Sequence, residues 1–535
     1  MTDPTREITE QERVRRDKLA ALRDAGVEPY PSEAWATAEA PLDRAADVLA
    51  RYRDAEHDPE ADGTAPLRVR LAGRMGTARV MGKVAFFHLA DESGAVQVYV
   101  RRDDLAPQND ALTGAAEGRG FYNAVFKKML DPGDWLGVEG EVFRTQKGEV
   151  SVRAERLVLL AKSLRPLPVE KTVTDEETGE TTTFNEVTDP DFRYRQRYAD
   201  LAIHPETRRV FRQRARILRT IRDRFDAAGY LEVETPALQP IYGGAAARPF
   251  TTHHNTFDTQ LFLRVADELY LKRLLVGGFE GVYEIAKDFR NEGISRFHNP
   301  EFTMLELYVA FRDYAWMMEL VEELLQQIAL DLHGTTDVVW GEHTLSFEAP
   351  FRRLPIFDAV EAETGYDLRG RGREELAAAA TALGLAVDET MGAGKLIDEV
   401  FGAFVEPKLV QPAFVTDYPV ELSPLAKRHR SEPGLVERFE LIAGGKELCN
   451  AFSELNDPDE QRARFEDQVR LARAGDDEAA NVVDEDFLRA LEYGMPPAAG
   501  LGVGIDRLTM VMTNQPSIRD VLLFPLLRPE DGGDA

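Results

Sequence analysis

The stretch Phe289-Arg290-Asn291-Glu292-Gly293-Ile294-Ser295-Arg296-Phe297-His298-Asn299-Pro300-Glu301-Phe302 decides how the rest of the chain is read. Tyr283-Glu284-Ile285-Ala286 leads into it with strand-forming residues, and Phe302 to Tyr308 leads out. The Asn, Gly, Ser, His and Pro between them are the residues of a polar turn, so the spacing predicts a β-hairpin. Arg290 and Glu292 stand at the mouth of its loop. Glu306 and Tyr308 occupy alternate positions on the second strand and therefore share one face. A face that polar on an otherwise apolar strand points to a site; a solvated hairpin is the alternative.

A chain of 535 residues is too long for one core and implies two to four domains. Its longest apolar runs, such as Leu157 to Ala161 and Val521 to Leu527, fall far short of the ~20 residues that span a bilayer. The N-terminal Thr2 to Lys18 is charged and carries no export signal, and the single Cys449 excludes an internal disulfide framework. A cytoplasmic protein with no membrane contact is expected. The net charge of −29 argues against a polyanionic partner, yet Pro66 to Arg165 holds 16 Lys/Arg against 12 Asp/Glu. One basic module sits in an acidic chain.

Four regions follow. Residues 1–65 read as a helical extension: Thr9 and Glu12 form a capping box, Val14, Leu19 and Leu22 make one stripe ending near Gly26, and one more helix is expected between Ala34 and Gly63. Residues 66–165 hold five short strands with a helix expected over Asn123 to Met129, the pattern of an OB-type β-barrel. Such barrels stack bases on aromatic side chains beside a basic groove, which makes Arg74, Arg79, Phe86, His88, Gln97, Tyr99 and Arg101 candidates for nucleic-acid contact. The alternative is that Phe86 and Tyr99 fill the barrel. Residues 166–191 are acidic and Thr-rich, a surface hairpin or linker without evident chemistry. Residues 192–535 form one large α/β unit, with a long helix from Arg208 to Ala228, a strand Tyr230 to Glu234, a helix Ala315 to Leu332 and a helical insertion at about 351–395.

Two further stretches carry chemistry. In Lys446-Glu447-Leu448-Cys449-Asn450-Ala451-Phe452-Ser453-Glu454, alternation puts Asn450, Phe452 and Glu454 on one strand face. Gly500, Gly502 and Gly504 alternate in the next, which weakens a strand unless a ligand or backbone must approach closely, and the chain then turns into a helix carrying Arg507 at its start. The spacing is neither a dinucleotide fingerprint nor a P-loop.

Glu234-Thr235-Pro236, Phe289-Arg290-Asn291-Glu292 and Gly502-Val503-Gly504-Ile505-Asp506-Arg507 resemble, in order, the three motifs of class II aminoacyl-tRNA synthetases. The runs Gly243 to Phe250, Glu268-Leu269-Tyr270-Leu271-Lys272-Arg273 and Phe452 to Asp457 look like the lysyl branch of that family, and the class I signatures are absent. The resemblance spans almost the whole chain. It implies an α+β fold: an N-terminal OB-type anticodon-binding barrel and a catalytic domain built on an antiparallel sheet flanked by helices, working as a homodimer. It implies L-lysine, ATP and tRNA(Lys) as substrates, with up to three Mg²⁺ ions bound alongside ATP. By motif position Gly244 and Glu268 would hold the α-amino group of lysine, and Arg290 would bridge its carboxylate and the α-phosphate. Glu306, Tyr308 and Glu454 would surround the ε-ammonium, with Asn450 and Phe452 as walls. Glu292, His298, Asn299 and Phe302 would seat ATP, Arg507 its γ-phosphate, and Glu447 and Glu454 the metal. The other readings are an aspartyl- or asparaginyl-type relative, whose anionic substrate side chain would want a cationic pocket where Glu306 and Glu454 point the other way, a non-catalytic binding paralogue, and an enzyme that lysylates protein, which would not need the barrel.

Overall fold

The computed structural model describes residues 8–58, 63–105, 120–168, 171–174, 181–184, 187, 189–389, 391–473 and 482–529, with backbone only at 171–174 and 181–184. Its contacts divide the chain into two units, 1–187 and 188–535.

In the first unit the strands Arg68–Met75, Arg79–Met81, Val84–Ala90, Ala95–Arg101, Trp135–Arg144 and Val150–Ala161 make one sheet. It closes on itself where Arg74 pairs with Ala90, and Ala95–Arg101 runs parallel to Val150–Ala161. Period-2 alternation sets the core: Val69, Leu71, Ala85, Phe87, Leu89, Val96, Val98 and Val100 point inward and are buried. Burying each larger one contributes about 1.5–3 kcal/mol. The short helical segment before the fifth strand is a π-turn, Tyr122–Phe126, continued by Lys127–Met129.

The helix Glu10–Asp24 begins with the expected capping box, Thr9 and Glu12 exchanging hydrogen bonds of 3.2 Å. Its inner face differs from the expected stripe. Val14 is 45% exposed, and Arg15 is buried beside Leu22, donating to the carbonyls of Ser163 and Pro132 at 3.0 and 2.9 Å. Unpaired loop carbonyls recruited a guanidinium where periodicity alone suggested an aliphatic side chain. Two short helices, Ala45–Arg51 and Asp54–His57, stand where one was expected. In the region read as a hairpin or linker, Lys171–Thr174 pairs antiparallel with Thr181–Phe184, and residues 175–180 lie outside the described residues.

The second unit is built on an eight-stranded sheet. Its order is Arg352–Pro355, Ala413–Thr416, Arg438–Ala443, Lys446–Ser453, Ala498–Gly504, Glu301–Ala310, Gly281–Phe289 and Leu231–Glu232. The interior pairs are antiparallel and the outermost pair on each side is parallel. The predicted hairpin holds, Gly281–Phe289 pairing with Glu301–Ala310, and lies next to the glycine-rich strand. Behind the sheet, helices Pro205–Ala227, Tyr314–His333 and Ile505–Thr513 bury a shared apolar core that includes Ile217, Phe225, Leu307, Val321 and Leu508. The strand expected at Tyr230 to Glu234 is shorter, Leu231–Glu232. The insertion contains three helices, Ile356–Thr364, Arg373–Ala382 and Ala393–Phe404, around its own core, and so runs past residue 395. Among the described residues no helix is long and apolar enough to cross a membrane.

Candidate active site

A cavity of about 650 Å³ opens on the sheet face that the hairpin, the glycine-rich strand and Lys446–Ser453 share. Gly244, Glu268, Arg290, Glu292, His298, Asn299, Phe302, Glu306, Tyr308, Glu447, Asn450, Phe452 and Arg507 all line it. The glycines divide their work. A Cβ on Gly500 would lie 2.0 Å from Glu454 Oε1 and 2.6 Å from Tyr308 Cε1, so only glycine fits there. Cβ atoms on Gly502 and Gly504 would meet nothing within 3.8 Å; these two leave room for a ligand against bare backbone.

One end of the cavity is acidic. Glu306 accepts from the Asp267 backbone N–H at 3.1 Å and from the Tyr308 hydroxyl at 3.0 Å. Single oxygens of Asp267, Asp288 and Glu306 come within 4.8 Å of one another, all in buried side chains. Arg264 supplies the counter-charge, with Nη1 2.8 Å from Glu284 and 3.0 Å from Asp267, and Nε 3.5 Å from Asp288. One guanidinium does not neutralise four carboxylates. Burial, followed by the charges of Asp288 and Glu268, pushes the Glu306 carboxyl up to about 8; burial and Glu306 push Asp267 up to about 10. Glu268 sits against Gly244, whose φ of +93° needs glycine and whose added Cβ would stand 3.3 Å from Glu268 Cβ. On the far side of Glu268 is Lys272, fully buried, with Nζ 2.5 Å from Glu268 Oε1 and paired also with Glu454.

The other end is cationic. The half-buried Arg290 guanidinium lies over the Phe302 ring at 5.0 Å, and among the described residues no carboxylate pairs with it. Arg507 donates to Glu447 Oε2 and to His298 Nε2, both at 3.0 Å. A guanidinium can only donate, so His298 is neutral with its proton on Nδ1, 2.8 Å from Ser295 Oγ. Burial and Arg507 lower its pKa, in agreement. Asn299 Nδ2 donates to the Glu301 carbonyl at 2.6 Å, which leaves Oδ1 buried and unpaired. Arg438 donates to Asn450 Oδ1 at 3.0 Å and to Glu440 at 2.6 Å, turning the Asn450 amide nitrogen toward the cavity.

On the barrel, Phe86 lies opposite Tyr99 with ring centroids 5.0 Å apart, and Tyr99 packs edge-on to Phe143 at 5.7 Å. All three rings are half-exposed, whereas their neighbours Ala85, Phe87 and Val98 fill the interior. Phe86 and Tyr99 therefore belong to an outer aromatic face. Arg79 pairs across from Phe86, and His88 and Gln97 face each other and share Glu149, at 3.1 and 2.6 Å. Arg74 is engaged within the barrel, over Trp135 and donating to the Gly133 carbonyl, and Arg101 pairs with Asp104.

A family model described as "tRNA synthetases class II (D, K and N)" matches residues 189–528, and one described as "OB-fold nucleic acid binding domain" matches 69–160. The chain belongs to the class II tRNA synthetases. A curated relative in Christiangramia forsetii, "Lysine--tRNA ligase", is 50% identical over 98% of this chain and 87% of its own length. A protein of the same name in Porphyromonas gingivalis is 49% identical over 98% and 86%.

Within this synthetase, every residue expected in the catalytic domain lines the cavity except Glu454. That carboxylate is fully buried at the acidic end, paired with Lys272 and lying where a Cβ on Gly500 would meet it beside Tyr308, so it stands on the cavity side of the sheet behind the lining residues. An extra residue at Leu448 shifts the register against Arg438–Ala443, so Glu447 joins Asn450 on the cavity face while Glu454 lies past the strand's end. Glu447 raises the pKa of Glu440, Asp398 and Glu406, and burial together with Glu447 and Asp398, against Arg438, lifts Glu440 to about 7. Sequence reasoning missed Glu440, Arg438, Asp267, Asp288 and Lys272. The one available signal was the alternation of Arg438 and Glu440 on the strand facing Asn450.

Proposed function

We propose that the protein is a lysine–tRNA ligase. It joins lysine to ATP, giving lysyl-adenylate and pyrophosphate, and passes the lysyl group to a ribose hydroxyl at the 3′ end of tRNA(Lys). The observation that carries this is the polarity of one cavity: surplus buried carboxylate at one end, and at the other a guanidinium that no carboxylate among the described residues pairs with. An amino acid with two ammonium groups satisfies the first, since an uncompensated buried charge costs several kcal/mol, and an anion satisfies the second.

Glu268 beside Gly244 would take the α-ammonium, and Glu306 with the Tyr308 hydroxyl the ε-ammonium. Arg290 would hold the carboxylate of lysine against the α-phosphate, Phe302 and the free Asn299 Oδ1 would receive the adenine, and Arg507 with His298 the outer phosphates. In the first step a carboxylate oxygen forms a bond to the α-phosphorus and pyrophosphate leaves. In the second, the ribose oxygen attacks the carbonyl carbon and AMP leaves. Neither requires a side-chain base, so rate comes from alignment and from cationic groups on developing charge. Glu447, whose charge is felt by Glu440 and Asp398, would offer Mg²⁺ one of the one or two carboxylates it takes together with phosphate oxygens; when bound, the ion would neutralise phosphate charge. The outer face of the barrel around Phe86, Gln97 and Tyr99 would stack anticodon bases. Leu231 on the edge strand and Leu238, both more than two-fifths exposed, favour a homodimer through this edge, and the cytoplasm is the compartment that holds these substrates.

An aspartate side chain would meet Glu306 and Glu268 with like charge, so the pocket disfavours the D branch of the family. Aminoacylation of total tRNA with labelled lysine, aspartate or asparagine tests the reading. Charging by lysine alone is expected, and charging by aspartate or asparagine instead would overturn it.

A further inference from the structure

Lys272 follows Glu268 by one helical turn on Glu268–Val276, so the two side chains leave the same face. Its ammonium has no exposed surface. It pairs with Glu268 Oε1 at 2.5 Å and with Glu454 Oε2, and the rings of Phe452 and Phe487 lie 5.5 and 6.0 Å from Nζ. This is more than a staple between a helix and a strand, because two of its four partners, Glu268 and Phe452, are also cavity wall.

We propose that Lys272 is a positioning and specificity residue for the amino-acid substrate, its buried ammonium holding the Glu268 carboxylate in one orientation at the pocket wall. The proposal rests on the lysine reading above. The other charged and titratable groups facing this pair are Glu306 and Tyr308 from the central strand and Arg438 from the strand Arg438–Ala443. Asp484 and Asp486 are occupied by Arg273, the next residue of the helix.

Burial raises both carboxyls, and Lys272 is the largest influence opposing it; the ammonium in turn is held charged by both. Glu454, together with the Phe452 and Phe487 rings, fixes the ammonium, and the ammonium fixes Glu268 Oε1.

Steady-state pyrophosphate exchange on the full chain tests this. In Lys272→Met the KM for lysine is expected to rise about tenfold or more, with kcat and the KM for ATP changed less than about twofold. Lys272→Arg should restore most of the lysine KM. An unchanged lysine KM, or a defect shared equally by kcat and the ATP KM, would overturn the proposal and leave Lys272 a structural residue. Should Lys272→Met not fold, the comparison is Glu454→Gln against Glu454→Gln/Lys272→Met, which removes one charge of each sign. A higher lysine KM in the double variant is expected; equal values contradict the proposal. Absence of lysine-dependent exchange in the unaltered protein would instead refute the functional reading.

Discussion

In the proposed site Glu306 would carry the amino-acid end, and its environment makes a titration prediction. With a carboxyl pushed up to about 8, most of the free protein holds a proton there at pH 7. An incoming ammonium favours the ionised form, so lysine binding near pH 7 releases a proton and affinity increases with pH until Glu306 is ionised in the free state. Calorimetry in buffers of different ionisation enthalpy reads this directly; no proton release would remove Glu306 from the contact. Glu306→Gln should cost about 3 kcal/mol of lysine binding with the ATP KM unchanged. Gly500→Ala drives a methyl into Glu454 and Tyr308 and should cost about 1–3 kcal/mol of stability together with lysine affinity, read by thermal unfolding and exchange. Residues repeating along one strand, such as Glu306 and Tyr308, were legible in the sequence because period 2 shows which share a face. Asp267, Asp288 and Lys272 were not, because their meeting point depends on how a helix and two strands pack. Glu454, one residue past the end of its strand, still lies on the face that period gives it, beside Gly500 and Tyr308.

At the scale of elements the hairpin would carry the ATP end of the proposed site. Its loop is tied internally by Ser295 to His298 and externally by His298 to Arg507. A ligand phosphate that recruits Arg507 would release that second tie, so ATP should change amide exchange across residues 293–298, whereas a loop unaffected by ATP would detach it from nucleotide binding. The barrel's aromatic face offers a separable test. Alanine at Phe86 or Tyr99 should weaken tRNA binding by about 1–3 kcal/mol per stacked base and leave pyrophosphate exchange intact; loss of both activities would signal damage to the fold. Strand composition and turn spacing sufficed to place the barrel and the hairpin. The register shift at Leu448 was not legible, because no turn residue marks it, and it is what turns Glu447 toward Glu440.

For the whole molecule the contrast in charge is the informative quantity. A chain of net charge −29 carries a segment with an excess of cations on the unit expected to meet RNA. The acidic catalytic unit spends part of its negative charge on the amino-acid pocket, which links bulk composition to substrate choice. The most direct measurement is amino-acid-dependent ATP–pyrophosphate exchange across the standard amino acids. Exchange with lysine, modestly with the one-methylene-shorter ornithine and not with norleucine, is the predicted result. Exchange with aspartate, or norleucine used as well as lysine, would contradict an acidic pocket that selects a second ammonium.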